Sequence, residues 1–211
     1  MSDKIMTSDI NQFKDIYISR IKALNSPKRI KFCAAVISNY KVDSFRIKFI
    51  KELSKYKKID IGSKRKKLNN IGRQIINKRE FLSSYKFSIA MENSEGDGYI
   101  SEKIVDAFLA GTIPIYYGDY MIDEFINPKT YILIKGEKDI LKKIEYIKEI
   151  DNNDELYKNI LKEKVLLDQN IVVDTEKELI VSRLLILYLT IKEFLCHIFE
   201  QDKYKAYRKK F

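Results

Sequence analysis

Residues 87–134 read FSIAMENSEGDGYISEKIVDAFLAGTIPIYYGDYMIDEFINPKTYILI: an apolar strand, a glycine-bearing loop, a helix and a second apolar strand. The strand delivers Glu92 and Asn93 to its carboxyl end, and Gly96 and Gly98 let the backbone turn. Ser101 is placed to cap a helix whose first turn carries Glu102 and Lys103. A helix amino terminus presents unpaired N–H groups and the positive end of its dipole, so this order of elements builds an anion pocket. Along the helix Ile104, Val105, Phe108 and Leu109 fall on one side, and Gly111 stops it before a strand over 112–116.

The same alternation extends on both sides of this stretch. Ile10, Phe13, Tyr17, Ile21 and Leu24 recur at helical spacing and predict a helix over 8–24, ended by Asn25-Ser26-Pro27. A continuous apolar run predicts a buried strand over 32–38, and Phe45, Phe49, Ile50 and Leu53 predict a helix over 44–55. A short strand over 59–61, a cationic loop over 64–67, a short helix over 78–85 and the strand 86–91 follow, and 131–134 forms a last strand. Beyond Gly136 the spacing is helical over 138–149, 155–166 and 175–199. Repeated strand, helix, strand order requires crossovers between parallel neighbours, so the expected fold is α/β, a doubly wound parallel sheet with a helical carboxyl-terminal layer.

Composition narrows the partners. The 211 residues suffice for one large domain or one domain with helical extensions, and 45% hydrophobic residues supply a core. Forty Lys and Arg against 30 Asp and Glu give a formal charge of +10, which favours an anion: a nucleotide diphosphate sugar, a nucleic acid or an acidic membrane surface. A lysine- and isoleucine-rich genome produces the same balance. No aromatic-lined repeat, zinc pattern or recognition helix supports nucleic acid. Cys33 and Cys196 sit in apolar runs and read as buried thiols, which fits a reducing, cytoplasmic setting. His197 is the single histidine and has no ligand set at useful spacing, and Glu95 and Asp97 are a weak acidic pair, so no metal is expected. The opening MSDKIMTSDINQF lacks a signal-peptide apolar stretch, and LLILYLTI at 184–191 falls short of the ~20 residues that span a bilayer. The ending KYKAYRKKF reads as a solvated terminus or as a peripheral membrane contact.

GYISEK at 98–103, with the preceding MENS and the following DAFLAGTIPIYYG and INPKTY, resembles the donor-site signature of the α-1,3-fucosyltransferases, which transfer fucose from GDP-fucose. FCAAVISN, SFRIKFIKELSKYKKID, LNNIG and EFLSSYKFSIAMENS extend the similarity over about residues 29–134. Met91 stands where that family usually has phenylalanine, Ser101 where it has threonine, and Tyr117 where it has tryptophan. The resemblance implies two Rossmann-like lobes of GT-B type, of which the matched region is the carboxyl-terminal, donor-binding one. On this reading 1–27 is a helix and linker, 28–136 the GDP-fucose-binding domain and 137–211 a helical extension. The acceptor-binding lobe, which carries the catalytic base in that family, is expected to be supplied separately, and no base is assigned.

Six residues are candidates for the donor. A lysine at the start of a helix opposes the dipole at a cost of roughly 0.3–1 kcal/mol, which a diphosphate beside Lys103 offsets. Glu102 repels phosphate and suits either ribose hydroxyls or simple dipole complementation; the resemblance implies the ribose. Tyr99 can donate its hydroxyl to phosphate or sugar, or plug the loop. Asn93 can present donor and acceptor to a base, while Glu92 either accepts from guanine N–H groups or is a buried structural acid. Arg46 is one cation among many by spacing, and the resemblance implies that it grips the pyrophosphate. Arg65 and Lys66 read as solvated loop charges. The implied reaction is a single displacement with inversion, from GDP-fucose to a hydroxyl of a glycan acceptor, requiring no cofactor.

Overall fold

Five strands, β1 (Lys31–Val36), β2 (Ile59–Gly62), β3 (Tyr85–Met91), β4 (Ile113–Tyr117) and β5 (Ile132–Leu133), pair in parallel in the order β2-β1-β3-β4-β5. The computed structural model describes residues 16–25, 31–37, 45–63, 69–72, 74–92, 102–124 and 126–167. Continuous apolar runs become strands covered on both faces: β4 is buried throughout, and β3 at all but Lys86. Register aligns the apolar side chains across the sheet. Ile59, Cys33, Phe87 and Ile113 form one row, and Ile61, Ala35, Ile89, Ile115 and Ile132 the next. Pro114 has no N–H to give, and it precedes the two-residue pairing of β4 with β5, which begins at Ile115.

Side-chain parity divides the helices between the faces. The odd-numbered residues of β1, β3 and β4 pack with α2 (Phe45–Ser54), α5 (Ile140–Asn152) and α6 (Asp154–Lys162), through Phe49, Leu53, Ile147, Ile150 and Leu161. The even-numbered residues Ala34, Ala90 and Tyr116 face α3 (Lys78–Leu82) and α4 (Glu102–Leu109), through Phe81, Leu82, Ile104 and Phe108. The sheet is therefore doubly wound, as its strand, helix, strand order requires. Burying each large apolar side chain stabilises the fold by roughly 1.5–3 kcal/mol.

Helix α1, described over 16–25, ties the two layers together at α6. Its Arg20 is buried; it donates from Nε to the Leu161 carbonyl at 3.1 Å and from Nη2 to the Ile160 carbonyl at 2.5 Å, and lies 5.8 Å from the Phe108 ring centre. The carbonyl end of α6, where Ile160 also accepts from the Glu163 N–H at 3.3 Å, is thus capped by a cation from elsewhere in the chain. Asn153 separates α5 from α6: its N–H closes α5 onto Ile150 and its side chain accepts from Leu156 N–H to start α6.

Gly111 ends α4 as the sequence predicts. It adopts φ +68°, its N–H bonds the Phe108 carbonyl at 2.8 Å, and Thr112 N–H bonds the Ala107 carbonyl at 3.1 Å. Cys33 is a free, buried thiol whose pKa is pushed up, first by burial and then by Asp151 and Asp60. Cys196, His197, the helix expected over 175–199 and the basic ending lie outside the described residues. Among the described residues no helix is long and apolar enough to cross a membrane.

Candidate functional site

Strands β1 and β3 are neighbours, yet the chain leaves β1 toward β2 on one side and β3 toward β4 on the other. Such a reversal of winding opens a crevice beyond the carboxyl ends of the two strands. Helix α2 begins after β1 and α4 after β3, so both start at this edge, positive dipole end first. Within it lies a small cleft of about 10 Å³, walled by Val36, Ile37 and Met91 and lined by three cations: Arg46 of α2, Lys78 of α3 and Lys103 of α4.

Glu92, one residue past β3, organises two of these cations. Its carboxylate is fully enclosed and accepts from Lys103 Nζ at 2.5 Å. Burial pulls the Arg46 guanidinium below its ordinary pKa, and the nearby Glu92 charge offsets part of that pull. Arginine keeps its charge at neutral pH all the same. The anion that relieves the dipole penalty of Lys103 is therefore already present in the fold, and a ligand is not needed for it. This revises the expectation that a diphosphate alone fills that role.

Neighbouring residues fix this arrangement. The Phe45 ring packs on Tyr117 with centroids 4.2 Å apart, which fastens the first turn of α2, and with it Arg46, to the carboxyl end of β4. Gly118 lets the chain pass close by. A Cβ there would lie 2.3 Å from the Tyr116 hydroxyl and 3.0 Å from Glu92 Cγ. The Tyr116 phenol is pushed above its ordinary pKa by burial, and further by Glu92 and Asp119, so it stays neutral.

Of the six residues predicted from sequence, four lie among the described ones. Arg46 and Lys103 share the cleft, Glu92 lies buried beside them, and Glu102 is exposed in the first turn of α4. Asn93 and Tyr99 lie outside the described residues, as do Ser101, Gly96, Gly98, Glu95, Asp97, Arg65 and Lys66. Among the described residues no group of His, Cys, Asp and Glu could hold a metal ion. Lys78 is the residue that sequence reasoning missed. Only the topology brings the crossover helix α3 to the cleft, where Lys78 Nζ donates to Asp106 Oδ2 of α4 at 2.6 Å. The one local signal is Asn77, whose side chain accepts from Glu80 N–H and so sets Lys78 as the first residue of α3.

A parallel sheet with a cationic crevice at its switch point defines a nucleotide-binding class of fold. Residues 26–201 match Glycosyltransferase family 10 (fucosyltransferase) C-term, and the chain belongs to that family. It is 40% identical over 98 residues to Alpha-(1,3)-fucosyltransferase FucT of Helicobacter pylori, covering 46% of this chain and 20% of that protein. Against the human 4-galactosyl-N-acetylglucosaminide 3-alpha-L-fucosyltransferase 9 it is 29% identical over 136 residues, 62% of this chain and 36% of that one. A crystal structure of alpha1,3-fucosyltransferase with GDP-fucose superposes with a TM-score of 0.63 at 31% identity, over 83% of this chain and 53% of that chain. A second, with GDP, gives 0.63 at 29% identity, over 81% and 52%. The chain thus spans only a fraction of the length of these relatives.

Proposed function

We propose that this chain binds GDP-fucose in the cleft between β1 and β3 and serves as the donor-binding region of a fucosyltransferase. The observation that carries the reading is the convergence of Arg46 and Lys103 on one crevice at the switch point of the sheet, both under the influence of the buried Glu92. Family membership and the GDP-fucose complex of a structural relative support it.

The chemistry follows from charge. As the bond between the anomeric carbon and the diphosphate breaks, its electron pair leaves with the phosphate oxygen, and preorganised cations stabilise that oxygen most in the transition state. Arg46 and Lys103 take this role, Arg46 with a planar fork suited to two phosphate oxygens and Lys103 as a point charge beside the amino end of α4. Glu102, exposed on the first turn of that helix, suits the ribose hydroxyls, and Asn93 and Tyr99 complete the donor set. Glu92, its carboxylate enclosed and paired with Lys103, acts by holding Lys103 and Arg46 in place. Attack by an acceptor glycan hydroxyl on the opposite face inverts the anomeric centre, and the base that takes the hydroxyl proton comes from an acceptor-binding lobe.

Calorimetric titration with GDP-fucose tests the reading. Saturable binding that competes with GDP is expected, and no binding of either would remove it. Transfer or hydrolysis of the bound donor then separates an active enzyme from a region that binds the donor without turning it over. The basic ending, KYKAYRKKF, adds contact with an anionic membrane surface to the reading, which cosedimentation with anionic against neutral vesicles checks.

A further inference from the structure

We infer that Lys78 is a third donor-binding cation, paired with Asp106 in the fold and handed to the diphosphate when the nucleotide arrives; the inference rests on the donor-site reading above. Lys78 lines the same cleft as Arg46 and Lys103. Its ion pair differs from that of Lys103 in the way an exchangeable contact requires. The Lys103 side chain is 18% exposed on a carboxylate that is 0% exposed, so pulling the two apart strands a buried charge. The Lys78 side chain is 32% exposed, and Asp106 is 18% exposed. Solvent, and therefore a solute, reaches Lys78 without unpacking the core.

Asp106 also has a second cationic neighbour, with Arg79 Nε 3.8 Å from its other oxygen. When Lys78 turns to a phosphate, Asp106 keeps a compensating charge and the swap leaves no bare carboxylate behind. The backbone under Lys78 is fixed, because Phe81 and Leu82 of α3 pack against Ala34 and Ala110, so only the flexible lysine stem has to move. Charge arithmetic gives the swap its direction. Arg46 and Lys103 together are partly neutralised by Glu92, whereas a sugar nucleotide carries one negative charge per phosphate and its diphosphate gains another as the sugar leaves. Releasing Lys78 from Asp106 supplies the further positive charge.

The experiment is calorimetric titration of the full chain with GDP and with guanosine, using Lys78→Gln, Lys78→Arg and Asp106→Asn, each checked by thermal melting. Lys78→Gln should weaken GDP binding about tenfold, near 1.4 kcal/mol, and leave guanosine unchanged. Lys78→Arg should keep most of the affinity. Asp106→Asn is the deciding variant. With its competitor removed, Lys78 should bind GDP as tightly as before or tighter, whereas a strut between α3 and α4 would lose affinity equally on cutting either end. Unchanged GDP affinity in Lys78→Gln, or equal losses in Lys78→Gln and Asp106→Asn, overturns the inference and leaves the donor-site reading standing. Failure of the unaltered chain to bind GDP overturns both. Should Lys78→Gln not fold, Asp106→Asn decides alone, since weakened GDP binding there contradicts the swap.

Discussion

The two edges of the sheet carry similar side chains in opposite arrangements. At the amino edge one carboxylate is surrounded: Asp151, buried near the end of α5, receives Lys57 at 2.5 Å, Lys86 at 3.2 Å and the Tyr56 hydroxyl at 3.0 Å. At the carboxyl edge the cations face a cleft and the carboxylates stand behind them, Glu92 under Lys103 and Asp106 beside Lys78. A carboxylate saturated by its own protein holds elements together and leaves nothing for a ligand. Cations held by carboxylates that do not themselves line the cleft keep their charge beside it, which is what an anion site requires.

The sharpest way to break this contrast is to remove Glu92. Glu92→Ala leaves Lys103, itself largely buried, and Arg46 without their shared carboxylate, and should cost about 3–5 kcal/mol of stability by urea denaturation. It should also weaken GDP binding, because the cations lose their fixed positions. Loss of stability with unchanged GDP affinity would make Glu92 as purely structural as Asp151.

Arg46→Met addresses the cations directly. It removes a charge-assisted phosphate contact, so GDP affinity should fall by about 1.5–3 kcal/mol, while stability should fall by less than in Glu92→Ala because Lys103 still pairs with the Glu92 carboxylate. Equal GDP affinity in the variant would separate Arg46 from the cleft's function.

Gly118→Ala sharpens the comparison from the packing side. The new methyl meets the Tyr116 hydroxyl, and Tyr116 is fully buried, so the ring and the neighbouring Glu92 side chain must shift. Overpacking of this kind costs about 1–3 kcal/mol, and here it should also lower GDP affinity through displacement of Glu92. An alanine at Gly111, at the other end of β4, should cost stability and leave GDP binding alone, because it strains only a left-handed helix cap.

Much of this was legible in the sequence, for reasons that differ along the chain. The strands and the larger helices follow from apolar runs and helical spacing, and Gly111 from the stop it imposes on α4. Arg46 and Lys103 were candidates before any geometry, one from a resemblance and one from its awkward place on a dipole. Pairing was not legible. That Glu92 meets Lys103, 11 positions on, depends on where α4 packs relative to β3, and that Lys78 meets Asp106 depends on two crossover helices lying side by side on one face. Sequence periodicity fixes which face a residue takes within its own element, whereas such contacts are set by how elements pack. The contact of the buried Arg20 with the end of α6, 140 positions on, is likewise set by packing between elements.

The smallest expected effect belongs to the amino edge and concerns acid. Burial alone would raise the Asp151 pKa, but hydrogen bonds from Lys57, Lys86 and Tyr56 and the Lys86 charge outweigh it and hold the carboxyl below its usual range. A depressed folded value means that the unfolded chain binds the proton more readily. The contribution is therefore present above the unfolded pKa of about 3.9 and is lost as pH falls through the lower folded value. Lys57 is 47% exposed and can turn to water, so Asp151→Asn should cost only about 1 kcal/mol near neutrality, read by urea denaturation, and should flatten the decline in stability toward acid. GDP affinity should not change, because the cluster lies across the sheet from the cleft. A fall in GDP affinity as large as that in Arg46→Met would mean that the two edges act as one charge system, and the division between holding and binding would fail.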